Sequence, residues 1–167
     1  LMPDRRDALA GAAEVALVLE QIASDPELVE ETVGTVGWMR LFPNMVNIIP
    51  GRVEFRAEVR STDARMLETA KSRLQAVVEE IAARRGLQFT FQWEDLEQPV
   101  AIPDQLQRTL AQACQELGLA LTHLPSRATH DAARLAAITP VGMLFIPCKD
   151  GNSHVPEEWA EPEPVVQ

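Results

Sequence analysis

The sequence contains few of the residues from which disulfide frameworks and metal clusters are built. There are two cysteines, Cys114 and Cys148, and three histidines among 167 residues. Two distant thiols build no disulfide scaffold, so a reducing cytoplasm is the expected compartment. The spacings HxH, HExxH and CxxC do not occur, and the sequence therefore predicts no complete metal site of its own.

Long apolar runs and a basic charge balance are also missing. No apolar stretch approaches the roughly 20 residues that a membrane-spanning helix needs, and the charged start LMPDRRDA is unlike a secretory leader. The formal net charge of −10 argues against nucleic acid as a partner, because phosphate binding favours a basic surface. With 46% hydrophobic and 24% charged residues, the composition is that of an ordinary globular chain.

The first part of the chain has the helix and strand patterns of a mixed α/β fold. Apolar residues at three- and four-residue spacing predict helices over 4–24 and 63–85. Alternation of apolar and polar residues predicts strands over 32–42, 53–60 and 87–93. The order helix, strand, strand, helix, strand is that of a ferredoxin-like sandwich without its first strand.

The pattern after Pro99 is that of a partial α/β domain. Helices are predicted over 103–117 and 130–137, and strands over 120–124 and 141–147. The second of these strands, VGMLFIP, is apolar on both faces, which is typical of a central strand in a covered sheet. The sequence thus predicts two regions, 1–98 and 99–167, with an acidic, proline-rich tail that frays.

Three groups of polar residues could carry chemistry, and the first lies in the hairpin LFPNMVNIIPGRVEFRAEVRS at 41–61. Asn44 and Asn47 interrupt an apolar run, and Arg60 ends the following strand. One interpretation is structural: the asparagines satisfy a turn and the arginine pairs with surface glutamates. The other is a clamp for a carboxylate or an amide, since a guanidinium binds carboxylates bidentately and an amide both donates and accepts.

The second and third groups follow predicted strands of the later region. His130 and Asp131 stand where a loop enters a helix. They are either part of a helix start capped by Thr129 or polar groups at the carboxyl end of a strand, where open α/β sheets bind ligands. His154 closes the loop KDGNSH at 149–154, which is either an ordinary solvated turn or the source of a ligand.

Four ordered segments make the chain recognisable, namely MPDRRDALAGAAE, FPNMVNIIPGRVEFRAEVRS, LPSRATHDA and MLFIPCKDGNSHVPEEW. They resemble the N-carbamoyl-L-amino-acid hydrolases, allantoate amidohydrolases and β-ureidopropionases. These are metal-dependent amidohydrolases related to the dinuclear zinc peptidases. The resemblance extends over nearly the whole chain up to Trp159.

The resemblance implies a fold and a set of roles. Residues 1–98 would form a ferredoxin-like lid that also makes a homodimer, and 99–167 the closing part of the catalytic domain. Asn47 and Arg60 match the lid residues that hold the substrate's amide and carboxylate, and His130 matches a histidine beside the substrate. His154 matches a ligand of the zinc or manganese ions that the family uses. The substrate would be a small carbamoyl or ureido compound.

The chain departs from this family in two ways. Arg127 and Thr129 replace two glycines of the family's loop, where glycine permits close approach of a ligand. The family's other metal ligands and its general base do not occur in the sequence. We therefore expect a portion of an amidohydrolase that is inactive alone. The alternative is a dimerisation or binding module without catalysis, derived from the same family.

Overall fold

A computed structural model describes residues 2–28, 32–94 and 98–161, and the structural statements below concern these residues. The chain divides into two compact units, Leu1–Pro99 (unit 1) and Val100–Gln167 (unit 2). Unit 1 contains helices α1 (Ala8–Ala23) and α2 (Ala64–Arg85) and strands β1 (Thr32–Phe42) and β2 (Arg52–Ser61). Unit 2 contains helices α3 (Asp104–Glu116) and α4 (Asp131–Leu135). Short 3-10 helices lie at Met2–Asp4 and Lys149–Gly151.

Unit 1 is an antiparallel hairpin covered by two helices. β1 and β2 pair from Phe42 opposite Arg52 to Thr32 opposite Ser61, with a bulge between Val36 and Trp38. Along β2 the odd-numbered side chains pack inward and the even-numbered ones are exposed, except that Ala57 is exposed as well. The period-two pattern in the sequence therefore identifies the inner face of this strand.

The core of unit 1 lies between α1 and α2. Leu19 and Val78 are almost completely buried at its centre, and Phe55 and Val59 of β2 pack against it from the sheet. An aspartate caps the N-terminus of each helix. In α1, a side-chain oxygen of Asp7 accepts from Leu9 N–H at 3.0 Å. Asp63 has the same role for α2, and Gly86 ends that helix in the left-handed conformation with a φ of 62°.

Two ion-pair groups join the helical layer at its ends. Glu14 of α1 accepts from Arg84 at 2.5 Å and also from Arg85, both at the end of α2. At the other end of α1, Arg73 reaches Asp25 at 3.1 Å and Glu27 at 2.6 Å. Together these pairs fix how α2 lies against α1.

The strand predicted over 87–93 does not form. Leu87 and Phe89 alternate with exposed neighbours and Phe89 packs against the core, as the pattern implied. A strand also requires hydrogen bonds to a neighbour, and the two-stranded sheet among the described residues contains only β1 and β2. The structure therefore confirms mixed helix and strand content, whereas the ferredoxin-like sandwich stays a prediction.

Unit 2 has less internal packing than its sequence pattern suggested. Its described residues, 100–161 with no gap, include none that is buried. The strands predicted over 120–124 and 141–147 are not formed, and Leu144 and Phe145 of the second are 64% and 52% exposed. An apolar strand of this kind becomes regular only when neighbouring strands pair with its edges.

Candidate functional site

The connection between β1 and β2 presents Asn44 and Asn47. Asn44 has a φ of 60°, a left-handed conformation that asparagine tolerates better than most residues. Asn47 lies exposed in the following turn, where Ile48 N–H donates to Met45 C=O at 3.3 Å. Both asparagines are exposed. Asn44 has a structural reason for its identity in its backbone conformation, whereas no such reason is seen for Asn47.

The end of this connection is fixed to its surroundings by backbone hydrogen bonds. Gly51 N–H donates to Phe42 C=O at 3.1 Å, which closes the connection across the hairpin. Pro50 C=O accepts from Ala8 N–H at the start of α1, also at 3.1 Å. The turn residues Pro50 and Gly51 therefore fix where β2 begins.

Arg60 lies on the exposed face of β2 and already has a carboxylate partner. Its Nη2 donates to Oε2 of Glu58, two residues earlier on the same face, at 2.7 Å. The hydrogen bond that Arg60 donates to Glu58 raises the pKa of Arg60 above its ordinary value. The structural interpretation of this arginine therefore has direct support. A ligand carboxylate would have to share or displace Glu58.

The hairpin separates Asn47 from Arg60. Asn47 belongs to the connection next to Arg52, whereas Arg60 pairs with Val33 near the opposite end of the hairpin. At about 3.3 Å per residue, Arg52 and Arg60 are about 26 Å apart along β2. We do not expect one small molecule to bridge that distance within a single hairpin.

In unit 2, the loop before α4 forms a compact hydrogen-bonded arrangement around His130. Its Nε2 lies 2.7 Å from Oγ of Ser126, and its ring meets Phe145 edge-on at 6.2 Å between centroids. His130 is itself the residue at the N-cap, in extended conformation and without a side-chain cap. The prediction that Thr129 caps this helix is therefore wrong, because the helix begins one residue later.

Arg127 and Thr129, which stand in place of the family's glycines, have exposed side chains. Neither belongs to the described non-glycine residues with positive φ, which are Asn44, Asp150 and His154. The backbone at these two positions therefore does not require glycine. Their effect on an approaching ligand would be steric or electrostatic.

His154 lies on the loop after 141–147, and its conformation is held by the residues that follow. Its φ is 61°, and its backbone N–H donates to Oε2 of Glu158 at 2.8 Å. The loop closes on itself where Lys149 N–H donates to Trp159 C=O at 2.7 Å. The imidazole is exposed.

The described residues do not fit a metal ion by themselves. No group of three or more histidine, cysteine, aspartate or glutamate side chains is arranged to hold one among residues 2–28, 32–94 and 98–161. His154 would supply one ligand, and a metal centre in proteins requires at least three. Likewise, no helix among these residues is long and apolar enough to cross a membrane.

Comparison with known proteins identifies the class. The model of peptidase family M20/M25/M40 matches residues 6–167, and the chain belongs to this family. Within it, the chain is 36% identical over 163 residues to an N-carbamoyl-L-amino-acid amidohydrolase of Pseudomonas sp. (strain NS671). It is 38% identical over 167 residues to a ureidoglycolate hydrolase of Arabidopsis thaliana. The recognised resemblance to amidohydrolases is thereby confirmed.

Solved structures give the same result for the fold. An amidase of the hydantoinase/carbamoylase family from Burkholderia multivorans matches with a TM-score of 0.89 and 36% identity over 99% of this chain. The match covers 40% of that structure, and the two relatives above are covered to 39% and 35% of their lengths. The chain spans about two fifths of the proteins it matches.

Proposed function

We propose that this chain forms part of a metal-dependent amidohydrolase that cleaves C–N bonds of N-carbamoyl amino acids or related ureido compounds. The observation that carries the proposal is the match along 97–99% of the chain to relatives named for such reactions. Fold likeness alone would not suffice, because one fold supports many activities. The chain by itself is expected to be inactive, since no metal-holding cluster is found among residues 2–28, 32–94 and 98–161 and the family's general base is not recognised in the sequence.

The proposed roles follow from the chemistry of each side chain. Arg60 would bind the substrate carboxylate with its planar fork, and Asn47 would hold the amide portion. His130 would contact a substrate oxygen. His154 would ligate one divalent ion, zinc or manganese, with the other ligands supplied from outside these residues. In a complete site that ion would supply the activated water.

The separation of Asn47 and Arg60 has a consequence for assembly. A carbamoyl amino acid is far shorter than the roughly 26 Å that β2 spans between Arg52, which follows the connection that carries Asn47, and Arg60. If both residues touch one substrate, they come from two copies of the chain. We therefore propose a homodimer in which Asn47 of the partner subunit meets the substrate held by Arg60.

Fragment complementation tests the proposal. The chain is co-expressed with the portion of the Pseudomonas relative that it does not match, in medium containing zinc or manganese. We expect release of the free amino acid from an N-carbamoyl-L-amino acid by the purified pair, and none by the chain alone. Turnover by the chain alone, or zinc binding at sub-micromolar affinity in calorimetry, would show that it holds a site we have not identified.

Two arginines on the same face of β2 give a matched pair for the substrate role. Arg60→Gln should raise KM by about tenfold or more in the complemented enzyme, because a charge-assisted hydrogen bond is lost. Arg56→Gln removes the same charge from a guanidinium that lies 5.7 Å from the Trp38 ring, and should leave KM unchanged. If both variants raised KM equally, the cause would be the lost surface charge and not a specific contact between Arg60 and the substrate.

The alternative is a binding or dimerisation module without catalysis. The pair between Arg60 and Glu58 and the replacement of the loop glycines by Arg127 and Thr129 favour it. The same complementation separates the two: a stable heterocomplex or homodimer without turnover, with either metal, would establish the module.

A further inference from the structure

The side chain of Ser126 makes hydrogen-bond contacts with two other residues of the loop before α4, Ala128 and His130. Its Oγ lies 2.7 Å from Nε2 of His130 and 3.2 Å from Ala128 C=O, and it accepts from Ala128 N–H at 3.3 Å. Both Ser126 and His130 are half-buried. The His130 ring thus meets this hydroxyl on one side and contacts the ring of Phe145 edge-on.

The hydroxyl proton of Ser126 has two competing acceptors. A serine hydroxyl has one proton to donate and two lone pairs that accept, and Ala128 N–H already occupies one lone pair. The proton goes either to Ala128 C=O or to Nε2 of His130. Hydrogen bonds donated by a hydroxyl to an oxygen are typically about 2.7–2.8 Å long, and those donated by an N–H to an oxygen about 2.9–3.0 Å, so a short contact favours the hydroxyl as donor. The 2.7 Å contact with the ring therefore fits the hydroxyl as donor.

We infer that Ser126 is a positioning residue: it donates to Nε2 of His130 and holds the neutral ring as the Nδ1–H tautomer. A neutral imidazole carries one proton, so accepting at Nε2 leaves the proton on the other nitrogen. The edge-on contact with Phe145 restricts rotation of the ring. The group presented to a ligand is then an N–H donor.

An N–H donor at this position selects an oxygen acceptor. In the proposed reaction this is the carbonyl or carboxylate oxygen of the carbamoyl compound, a step that rests on the proposed function. The tautomer itself does not rest on it, because Ser126 and His130 belong to the same loop of this chain. A base, in contrast, would require an unprotonated nitrogen on the side that faces the ligand.

Nitrogen NMR of the imidazoles tests the inference on the intact chain without substrate. The spectrum is recorded near pH 8.5, about two units above the ordinary pKa of an imidazole in water. The signals are assigned with His123→Asn, His130→Asn and His154→Asn variants. We expect His130 to be mainly Nδ1–H, and an Nε2–H ring in the wild-type chain would overturn the inference.

Substitution of the serine provides the second readout. Ser126→Ala should shift the tautomer ratio of His130 by about fivefold toward Nε2–H, the size expected for one hydrogen bond. Ser126→Thr keeps a hydroxyl and should restore the wild-type ratio, while His123 and His154 stay unchanged in both variants. An unchanged ratio in Ser126→Ala would contradict the role of Ser126, even if complementation had already confirmed the activity. The converse result, a correct tautomer with no activity, would contradict only the proposed function.

Discussion

At the scale of single residues, Glu14 is the clearest case of an electrostatic contact with a measurable consequence. Hydrogen bonds from Arg85 and Arg84 lower the pKa of Glu14 from its ordinary value of 4.5 to about 2. Because the folded-state pKa lies below the unfolded one, the contact stabilises the fold above pH 4.5. That contribution is lost progressively as the pH falls from about 4.5 to about 2.

Glu14→Gln should therefore destabilise the chain most near neutral pH. We expect a loss on the order of 1 kcal/mol, since the Glu14 side chain is 29% exposed and solvent screens the pair. The difference between variant and wild type should shrink between pH 4.5 and 2 in urea unfolding curves. Glu20→Gln, at an exposed position of the same helix, is the control and should show no such dependence. A difference that is constant with pH would show that the ion pair is not its cause.

Residue identity alone could not reveal which neighbours the candidate site residues contact. The alternation along β2 predicted that Glu58 and Arg60 share a face, and the structure shows that they are paired at 2.7 Å. The contact between Ser126 and His130 depends on the conformation of an irregular loop, for which the sequence carries no periodic signal. Sequence patterns therefore indicate where such residues lie, but do not indicate which of them contact each other.

At the scale of elements, β1 lies close against α1 at Gly34. A methyl group at this position would lie 2.8 Å from Cδ1 of Leu19 and 3.3 Å from Cβ of Ala23. Leu19 is almost completely buried, so it has little room to move. Helix–sheet packing therefore explains why glycine, which is unfavourable inside a strand, stands at this position.

Gly34→Ala should cost about 1–3 kcal/mol of unfolding free energy, the usual effect of overpacking. Gly37 in the same strand is the matched control, because an added methyl group there meets nothing within 4 Å. Gly37→Ala should leave the urea midpoint close to that of the wild type. Equal destabilisation by both variants would mean that strand conformation, and not the contact with Leu19, sets the requirement for glycine.

The elements of unit 1 were predictable to different degrees for a physical reason. A helix forms its hydrogen bonds within one segment, so the patterns over 4–24 and 63–85 were sufficient to locate α1 and α2. The hairpin could also be predicted, because its two strands are neighbours in sequence. The segment 87–93 has the alternation of a strand, but pairing depends on a partner that a local pattern cannot identify.

At the scale of the whole molecule, the two units differ in how much they bury. The core of unit 1 contains nearly completely buried residues from both helices, such as Val15 and Val78. The described part of unit 2 buries none, and its most apolar segment, 141–147, makes no backbone-to-backbone hydrogen bond among the described residues. Local stability follows burial and hydrogen bonding, so the units should differ in their opening free energies.

Hydrogen exchange followed by mass spectrometry should resolve this difference. Peptides from α1 and α2 should be strongly protected, whereas peptides covering 141–147 should exchange at nearly the rate of an unstructured chain. α3 provides the internal control: it has helical hydrogen bonds but no buried residue, and should fall between these limits. Protection of 141–147 equal to that of α2 would contradict the prediction and show that another chain covers this segment. In the complemented enzyme the same peptides should become protected, because an apolar segment of this kind is stable only inside a sheet.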